Sequence, residues 1–324
     1  MRLTLALCLL ASPALADAGA VIDRQITPGT AAFTAAAQDL ARAAETDCRP
    51  AGVTPAWNAA SDAWLGIAHL RLGPQDQAAL DIAYWPDDRG TGRRTLARMI
   101  ASGDPMGQSA AQVAAISAAA RGLSGLEILL FDPDFNGYDA GSYTCTLVTA
   151  LAQDLSAQAR ALETAWAAYA PLLRNPGAPG NSTYLSPREA SGAIFTQVMA
   201  GIEFDVDQRL GRPMGTPDHP RPARAESWRA GRSLRNVLLS LDALRLTAEA
   251  LADGPIDGVE AAFDTAAYFA GAITDPGFQD AADPMGRLRL ESLQGRIDAI
   301  GAALEQEIGT PLGVAPGFNS LDGD

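Results

Sequence analysis

One carboxylate interrupts an apolar helical stripe near the middle of this 324-residue chain. Apolar residues three and four positions apart form one face of a predicted helix: Val113, Ile116, Ala120, Leu123 and Leu130. Glu127 fills the missing place in that series, so its side chain is predicted to point into the apolar face. A buried carboxylate is costly unless it has a partner, a proton or a metal. Glu127 is therefore the leading functional candidate, and the alternative is a structural glutamate paired with an arginine.

Two glycines, Gly122 and Gly125, precede Glu127 and lie on either side of the hydroxyl of Ser124. A glycine inside a helix costs about 1 kcal/mol relative to alanine, so the pair predicts close approach of another backbone or of a ligand. We therefore expect Gly122, Ser124 and Glu127 to line a cleft that binds a ligand.

Three arginines are candidate partners of Glu127. Arg121 directly precedes the glycine pair, and Arg212 and Arg224 lie in or just after an irregular segment at 211–222. Any of them could pair with the carboxylate, and such a partner would favour its charged form.

Two further acidic segments have both a functional and an ordinary explanation. Trp85 and Asp87 could form an aromatic and acidic wall of a ligand site, although aspartates in such a segment more often make a turn or cap a helix. Asp205 and Arg209 are four residues apart, and an ion pair on a helix surface is a sufficient explanation for that spacing.

The two histidines of the chain are His69 and His219. His69 shares one side of a predicted helix with Asn58 and Asp62, and a polar side on a bundle helix usually faces solvent. The functional alternative is that this side faces a cleft between two domains, where His69 would supply a metal ligand beside Glu127. His219 lies in a loop with little constraint and is not a candidate.

The composition excludes several kinds of chemistry. All 24 basic residues are arginine, which rules out Schiff-base and P-loop lysines. The net charge of −14 at pH 7, without a basic block, argues against nucleic acids and anionic membranes as partners. Common metallopeptidase, hydrolase, dinucleotide and EF-hand motifs are missing. A Ser–His–Asp catalytic triad built on Ser124 would require the His69 side chain to lie next to Ser124.

The N-terminus is typical of a secretory signal peptide at 1–16. A charged start precedes an apolar run at 3–10, and small residues at 14 and 16 suit cleavage before Asp17. We therefore expect an exported protein, periplasmic in a bacterium, with no membrane span in the mature chain.

Two cysteines, Cys48 and Cys145, remain after removal of this leader. In an oxidising compartment an isolated pair is most simply a disulfide. A metal site with two thiolates is the alternative, but it lacks a nearby histidine or further cysteine. We predict a structural disulfide that ties the first helix to a later one.

Abundant alanine, few aromatic residues and the lack of alternating Val/Ile/Thr runs predict an all-α fold. Thr54 and Pro55 open a helix with one apolar stripe: Trp57, Ala60, Trp64 and Ile67. Further helices are predicted at 142–173, 187–210, 223–252, 258–270 and 283–308.

Proline, glycine and asparagine crowd residues 175–181, which is typical of a linker. We predict an N-terminal domain at 17–175, a linker at 176–186 and a C-terminal domain with its tail at 187–324. Each domain would be a bundle of about four helices.

Four segments together resemble the imelysin-like proteins, also classed as the M75 peptidase family. In chain order they are RLGP at 71–74 with IAYWPD at 82–87, RGLSGLEILLF at 121–131, LGRPMG at 210–215 and GVAPGFNSLDGD at 313–324. They span nearly the whole chain after the leader. The resemblance implies an exported, all-α protein of two fused helical bundles, with a site near their interface.

The family motif is Gly-x-His-x-x-Glu, and this chain departs from it at one position. Gly122 and Glu127 match the motif, whereas Ser124 stands where the family has histidine. Histidine and glutamate three residues apart share a helix face and could ligate one metal ion, but serine is a poor ligand for zinc or iron. Iron remains the metal that the resemblance suggests.

The resemblance implies a role in iron uptake or a peptidase activity. With serine in the motif, we favour a non-catalytic periplasmic binding or accessory protein of iron or other metal acquisition. Its expected partners are a metal ion or small ligand and iron-uptake components of the envelope. The alternatives are an M75-type metallopeptidase and a structural or interaction module of the cell envelope.

Overall fold

The structure, a computed structural model, describes residues 17–314. Within that range the regular structure is helical, with one isolated β-bridge between Thr216 and His219, so the predicted all-α class is confirmed. None of the described helices combines the length and hydropathy needed to cross a bilayer. The predicted leader at 1–16 and the motif residues at 315–324 lie outside the described residues.

The α-helices of the described residues follow in chain order. They are α1 (Ala18–Val21), α2 (Thr27–Thr46), α3 (Pro50–Leu65), α4 (Pro74–Ile82), α5 (Thr91–Ser102), α6 (Ala110–Val113), α7 (Gly122–Phe131), α8 (Tyr143–Arg174), α9 (Pro187–Glu203), α10 (Arg212–Met214), α11 (Ser233–Leu251), α12 (Asp257–Ala270), α13 (Pro284–Leu304) and α14 (Thr310–Leu312). Segments of π-helix join some of them: Ile22–Ile26, Phe204–Gly211 and Glu305–Gly309. Short 3-10 turns lie at Pro105–Gly107, Ala118–Ala120, Pro222–Arg224 and Gln279–Ala282.

In the first half, α2 and α4 pack along the long helix α8, and α3 packs on α2. Their contact faces carry buried residues at helical spacing: Phe33, Ala37, Leu40, Trp57, Ala60, Trp64, Leu147, Leu151, Leu155 and Trp166. The stripe predicted around Trp57 is therefore confirmed as core. Ser142 caps α8 through a hydrogen bond from the N–H of Cys145.

Helix α3 begins earlier than predicted and ends before His69. Pro50 occupies its first turn, where the missing N–H has no helical partner to lose. The helix ends at Leu65, and the chain then turns through Gly66. His69 lies in that turn, so the prediction that it shares a helix with Asn58 was wrong.

In the second half, α9 and α13 pack together, α11 lies against α9, and α12 covers α11 and α13. The predicted helices at 187–210, 258–270 and 283–308 are found, the first and last of them with π-helical ends. The helix predicted from residue 223 begins only at Ser233. Ser227 and Gly231 have positive φ angles of 49° and 64°, which interrupt any helix there.

Residues 175–186 are irregular, as expected of the predicted linker. Across this segment the halves pack together: α3 contacts α11, and α1 contacts both α9 and α11. Buried apolar side chains from both halves belong to one cluster. This arrangement is compatible with two bundles, and the domain boundaries stay a prediction.

The predicted disulfide is present between Cys48 and Cys145. Their Cα atoms are 5.3 Å apart, and the two residues are 97 positions apart in sequence. Cys48 follows α2 directly, and Cys145 lies in the first turn of α8. The bond thus ties the end of α2 to the start of α8.

Candidate functional site

Glu127 lies on α7, which begins at Gly122. The prediction of one helix continuing from Val113 was wrong, because α6 ends there and the chain turns before α7. Gly122 has a φ of 60°, a conformation that favours glycine. A Cβ at this position would also collide with the carbonyl oxygens of Asp81 and Ile82. The glycine thus turns the chain into α7 and permits the close backbone approach that the glycine pair predicts.

The Glu127 carboxylate is buried, and its partners are backbone N–H groups. The residue is 7% exposed. The N–H of Arg229 donates to Oε1 at 3.2 Å, and the N–H of Ala230 also stabilises the charged form. Burial raises the pKa of Glu127 to about 7, against the opposing effects of these donors and of the Arg229 charge. Both protonation states are therefore accessible near neutral pH.

The guanidinium of Arg229 is engaged elsewhere, although its backbone binds Glu127. Its Nε donates to Asp132 Oδ2 at 3.1 Å, and its guanidinium lies 4.7 Å from the ring centre of Trp228. The same Asp132 oxygen accepts from Arg93 Nε at 3.1 Å. These ion pairs hold the irregular segment 225–232 against α7, directly over Glu127.

None of the three arginines proposed as partners pairs with Glu127. Arg121 donates through Nε to Asp154 at 3.1 Å, on α8. Arg212 and Arg224 both approach Asp88, at 2.7 Å and 3.3 Å. The predicted arginine partner was therefore wrong, because each of these side chains forms its ion pair with another carboxylate.

Asp87 caps a helix, which was the ordinary explanation of its segment. Its two carboxylate oxygens accept from the N–H groups of Thr91 and Gly92 at 2.9 and 2.8 Å, at the start of α5. Trp85 lies just before it and contacts Phe204 of the second half edge-on, with ring centres 5.7 Å apart. Both residues also line a cleft beside Glu127.

We call this space the Glu127 cleft. It has a volume of about 130 Å³ and lies between the two halves of the chain. Its walls include Trp85, Asp87, Asp88, Arg93, Ser124, Glu127, Arg224, Trp228 and Arg229. A smaller pocket of about 30 Å³ reaches Glu127 and Ser124 from the side of Trp57. Four of the predicted site residues are thus brought together: Trp85, Asp87, Ser124 and Glu127.

His69 does not join this group. It lines a separate cavity, and its Nε2 lies 2.8 Å from Thr247 Oγ1. Burial lowers the pKa of His69 to about 3, and the positive charge of Arg209 adds to the effect. The structure therefore places the two predicted metal ligands, His69 and Glu127, in different pockets.

The polar side of α3 faces the second half of the chain, as the functional alternative predicted. Asn58 Oδ1 accepts from Arg232 at 2.9 Å, and Asp62 Oδ1 accepts from Arg235 Nε at 2.9 Å. These contacts bring α3 and the start of α11 together. Asn58 and Asp62 therefore join the two halves, because the Asn58 amide oxygen and the Asp62 carboxylate already bond arginines.

Sequence reasoning missed the most important contributors from the second half. Ser227, Trp228 and Arg229 line the cleft and Glu226 lines the smaller pocket beside it, yet their stretch was predicted to be part of a helix. Proline at 222 and glycine at 231 were the available signals of an irregular segment. Asp205 and Arg209, expected on a surface, are buried.

The donor set around Glu127 does not fit a metal ion held by the protein alone. Between residues 17 and 314 no group of three His, Cys, Asp or Glu side chains is placed to hold one. Protein sites for zinc use three or four such ligands. The groups that bond the Glu127 carboxylate are N–H donors, which repel a cation and donate hydrogen bonds to the charged carboxylate.

Stability is expected to fall as the pH rises through the pKa of Glu127. The ordinary pKa is 4.5 and the folded value is about 7, so between these values the folded protein keeps a proton that the unfolded chain has lost. The contribution of Glu127 to the free energy of unfolding is complete below pH 4.5 and is lost above pH 7. It amounts to about 3 kcal/mol. Urea unfolding at pH 5 and pH 8 measures it. Glu127→Gln should abolish this part of the pH dependence, and an unchanged dependence would contradict the assignment.

Comparisons with known proteins agree with the fold. The family model for imelysin, peptidase family M75, matches residues 26–304. An imelysin-like protein from Psychrobacter arcticum 273-4, solved at 2.15 Å, is similar in structure with a TM-score of 0.74 and 18% identity, over 94% of this chain and 100% of that chain. A search of curated proteins finds no match.

A second solved structure is also similar. It comes from Parabacteroides distasonis ATCC 8503, was solved at 2.30 Å, and carries the provisional name iron-regulated protein A precursor. The TM-score is 0.72 with 14% identity, over 91% of this chain and 93% of that chain. At such identities these two likenesses concern the fold alone. The family model covers most of the length of this chain, and the chain therefore belongs to the imelysin family.

Proposed function

We propose that this protein is an exported binding or accessory protein of iron or other metal acquisition, and that it binds its ligand in the Glu127 cleft. The single observation that carries the proposal is a buried carboxylate with a pKa raised to about 7, facing a cleft between the two halves. The signal-peptide pattern supports export, and the name of the Parabacteroides protein supports a connection with iron.

The cleft favours a metal that arrives with ligands of its own. Glu127 can contribute one carboxylate oxygen, and Ser124 a hydroxyl. The guanidiniums of Arg93, Arg224 and Arg229 and the ring of Trp85 suit the carboxylates and apolar parts of an organic chelator. The proposed ligand is therefore a small metal chelate, with the protein binding mainly the organic part.

The two other family-level explanations have weaker support. An M75-type metallopeptidase would need a set of metal ligands, and Ser124 replaces the histidine of the family motif. A purely structural Glu127 would be expected to pair with an arginine, but the ion pairs of the nearby arginines go to Asp132, Asp154 and Asp88. A chelator-sensitive protease assay on the whole protein tests the first of these explanations.

Calorimetric titration with ferric citrate, with zinc, copper and ferrous ions as bare-ion comparisons, tests the proposal. We expect the citrate complex to bind and Glu127→Gln to weaken it about tenfold or more, as loss of a charged hydrogen-bonding group does. Glu45→Gln is the matched control because Glu45 is exposed and, within residues 17–314, accepts a hydrogen bond from Gln153 alone. No heat with any of the four titrants, or equal binding by both variants, would overturn the proposal.

A further inference from the structure

A second and larger cavity lies between the halves, on the other side of Trp85 from Glu127. We call it the Arg71 cavity. Its volume is about 510 Å³, within the range of small-molecule sites. Apolar and aromatic side chains form much of its wall: Trp64, Ala68, Ala83, Trp85, Ala200 and Phe204. The exposed residue Asp76 is among the lining residues, so the cavity reaches the surface.

Arg71 brings a positive charge into this cavity without a matching ion pair. Its Nε donates to the carbonyl oxygen of Ala68 at 3.2 Å, and no carboxylate within residues 17–314 forms an ion pair with it. Burial lowers the pKa of Arg71, and the nearby charge of Arg209 acts in the same direction, while Asp76 and Glu226 oppose it. A guanidinium in such a place favours an anion, and its planar fork matches a carboxylate.

The other arginine of the cavity wall, Arg209, is already paired. Arg209 donates to Asp205 at 2.5 Å and to Glu226 at 2.7 Å. Its Nη1 also donates to Ser240 Oγ at 2.9 Å. Arg209 is therefore held by two carboxylates, whereas Arg71 is the arginine of the wall without an ion pair among residues 17–314 and stays available to a ligand.

His69 lines the same cavity, with its Nδ1 buried just beneath the cavity surface. Its Nε2 lies 2.8 Å from Thr247 Oγ1, and the hydroxyl proton of Thr247 has acceptors in Gln25 Oε1 and the Ala243 carbonyl oxygen. Nε2 therefore carries the ring proton and donates, which leaves Nδ1 as an acceptor. Within the described residues this Nδ1 is buried and has no hydrogen-bond partner. A buried acceptor without a partner is costly, and a ligand donor would satisfy it.

We propose that the Arg71 cavity is a second ligand site, which binds a small organic carboxylate with an aromatic or apolar body. The carboxylate lies at Arg71, the body lies against Trp64, Trp85 and Phe204, and a donor group of the ligand bonds His69 Nδ1. The site is separate from the Glu127 cleft and shares only its dividing wall.

Calorimetry of the whole protein with 4-hydroxyphenylacetate tests this proposal, since that probe combines a carboxylate, an aromatic ring and a hydroxyl donor. We expect a Kd of about 1 mM or tighter. The matched alcohol 4-hydroxyphenylethanol, which lacks the carboxylate, should bind at least roughly tenfold more weakly. Absence of binding by 4-hydroxyphenylacetate, or equal binding of the two compounds, overturns the proposal.

Two variants localise the binding. Arg71→Gln should weaken the carboxylate about tenfold or more, with Arg71→Lys between it and the wild type. Arg98→Gln, at an exposed arginine on α5, is the matched control and should bind as the wild type does. Binding that is unaffected by Arg71→Gln places the probe elsewhere and overturns the proposal.

Nitrogen NMR of the histidine rings tests directly whether the ligand bonds His69. A purely structural role of His69 would not change the Nδ1 signal when the ligand binds. The chain has two histidines, so His219→Asn assigns the signals of His69. The Nδ1 signal should shift with 4-hydroxyphenylacetate and stay in place with phenylacetate, which lacks the hydroxyl donor. A signal that does not move with the first compound overturns the assignment of His69 as the acceptor.

Discussion

Replacing Arg209 with methionine is expected to lower the free energy of unfolding by about 3–5 kcal/mol, because it leaves two carboxylates buried without their cation. Arg209 is 7% exposed in its side chain and bonds Asp205 and Glu226. Asp205 is fully buried, and burial raises its pKa to about 6 even with Arg209 present. Methionine has a similar volume, so the loss would come from charge rather than from packing. Urea unfolding at pH 7 measures it.

The matched control is Arg245→Met, which removes an arginine from a much more exposed pair. Arg245 lies 3.0 Å from Glu249 and 2.6 Å from Asp264, and the side chains of these two carboxylates are 31% and 70% exposed. A pair of this kind contributes at most about 1 kcal/mol. The Arg209 variant should also recover stability at pH 5, where Asp205 can take up a proton. Equal losses in the two variants would contradict the buried-cluster assignment.

Loss of the Cys48–Cys145 disulfide is the second large effect that we expect. The bond closes a loop across 97 positions of sequence, and in the chain-entropy treatment a loop of that size contributes up to about 4.7 kcal/mol. Wild-type protein should therefore unfold at clearly lower urea concentration with a reductant than without it. The double variant Cys48→Ser, Cys145→Ser should match the reduced protein and be insensitive to reductant. Two free thiols in the denatured oxidised protein would contradict the prediction.

The helices and the burial of Glu127 were predictable because their signals are local. Helical spacing placed Trp57 and Trp64 in the core, and Ser142 marked the start of α8. The apolar series around Glu127 also predicted its burial, although the helix there is shorter than the series suggests. Alanine-rich residues before Gly122 contain no strong helix-breaking signal, which explains that error.

The partners of Glu127 were not predictable, because they are backbone groups from a distant part of the chain. The N–H of Arg229 is 102 positions away in sequence. Every residue type except proline has a backbone N–H, so the sequence does not show which N–H will bond a carboxylate. An arginine is visible in the sequence, and the arginines were proposed for that reason. Asp205 and Arg209 show a related limit: their spacing is the same for an exposed and a buried pair, and only tertiary packing decides between the two.

Glu127 is a protonatable carboxylate, without an ion-pair partner among the described residues, at the wall of a cleft between the two halves. Its protonation makes the stability of the fold depend on pH, and the proposed ligand site lies at the same position. A structural ion pair would do none of this, because a nearby cation would hold Glu127 in its charged form at neutral pH.

The most direct test is an NMR titration of the side-chain carboxyl carbon of Glu127, assigned with Glu127→Gln. We expect a pKa of about 7, well above the ordinary value of 4.5. A pKa at or below that ordinary value would show a paired or solvated carboxylate and would contradict the central claim.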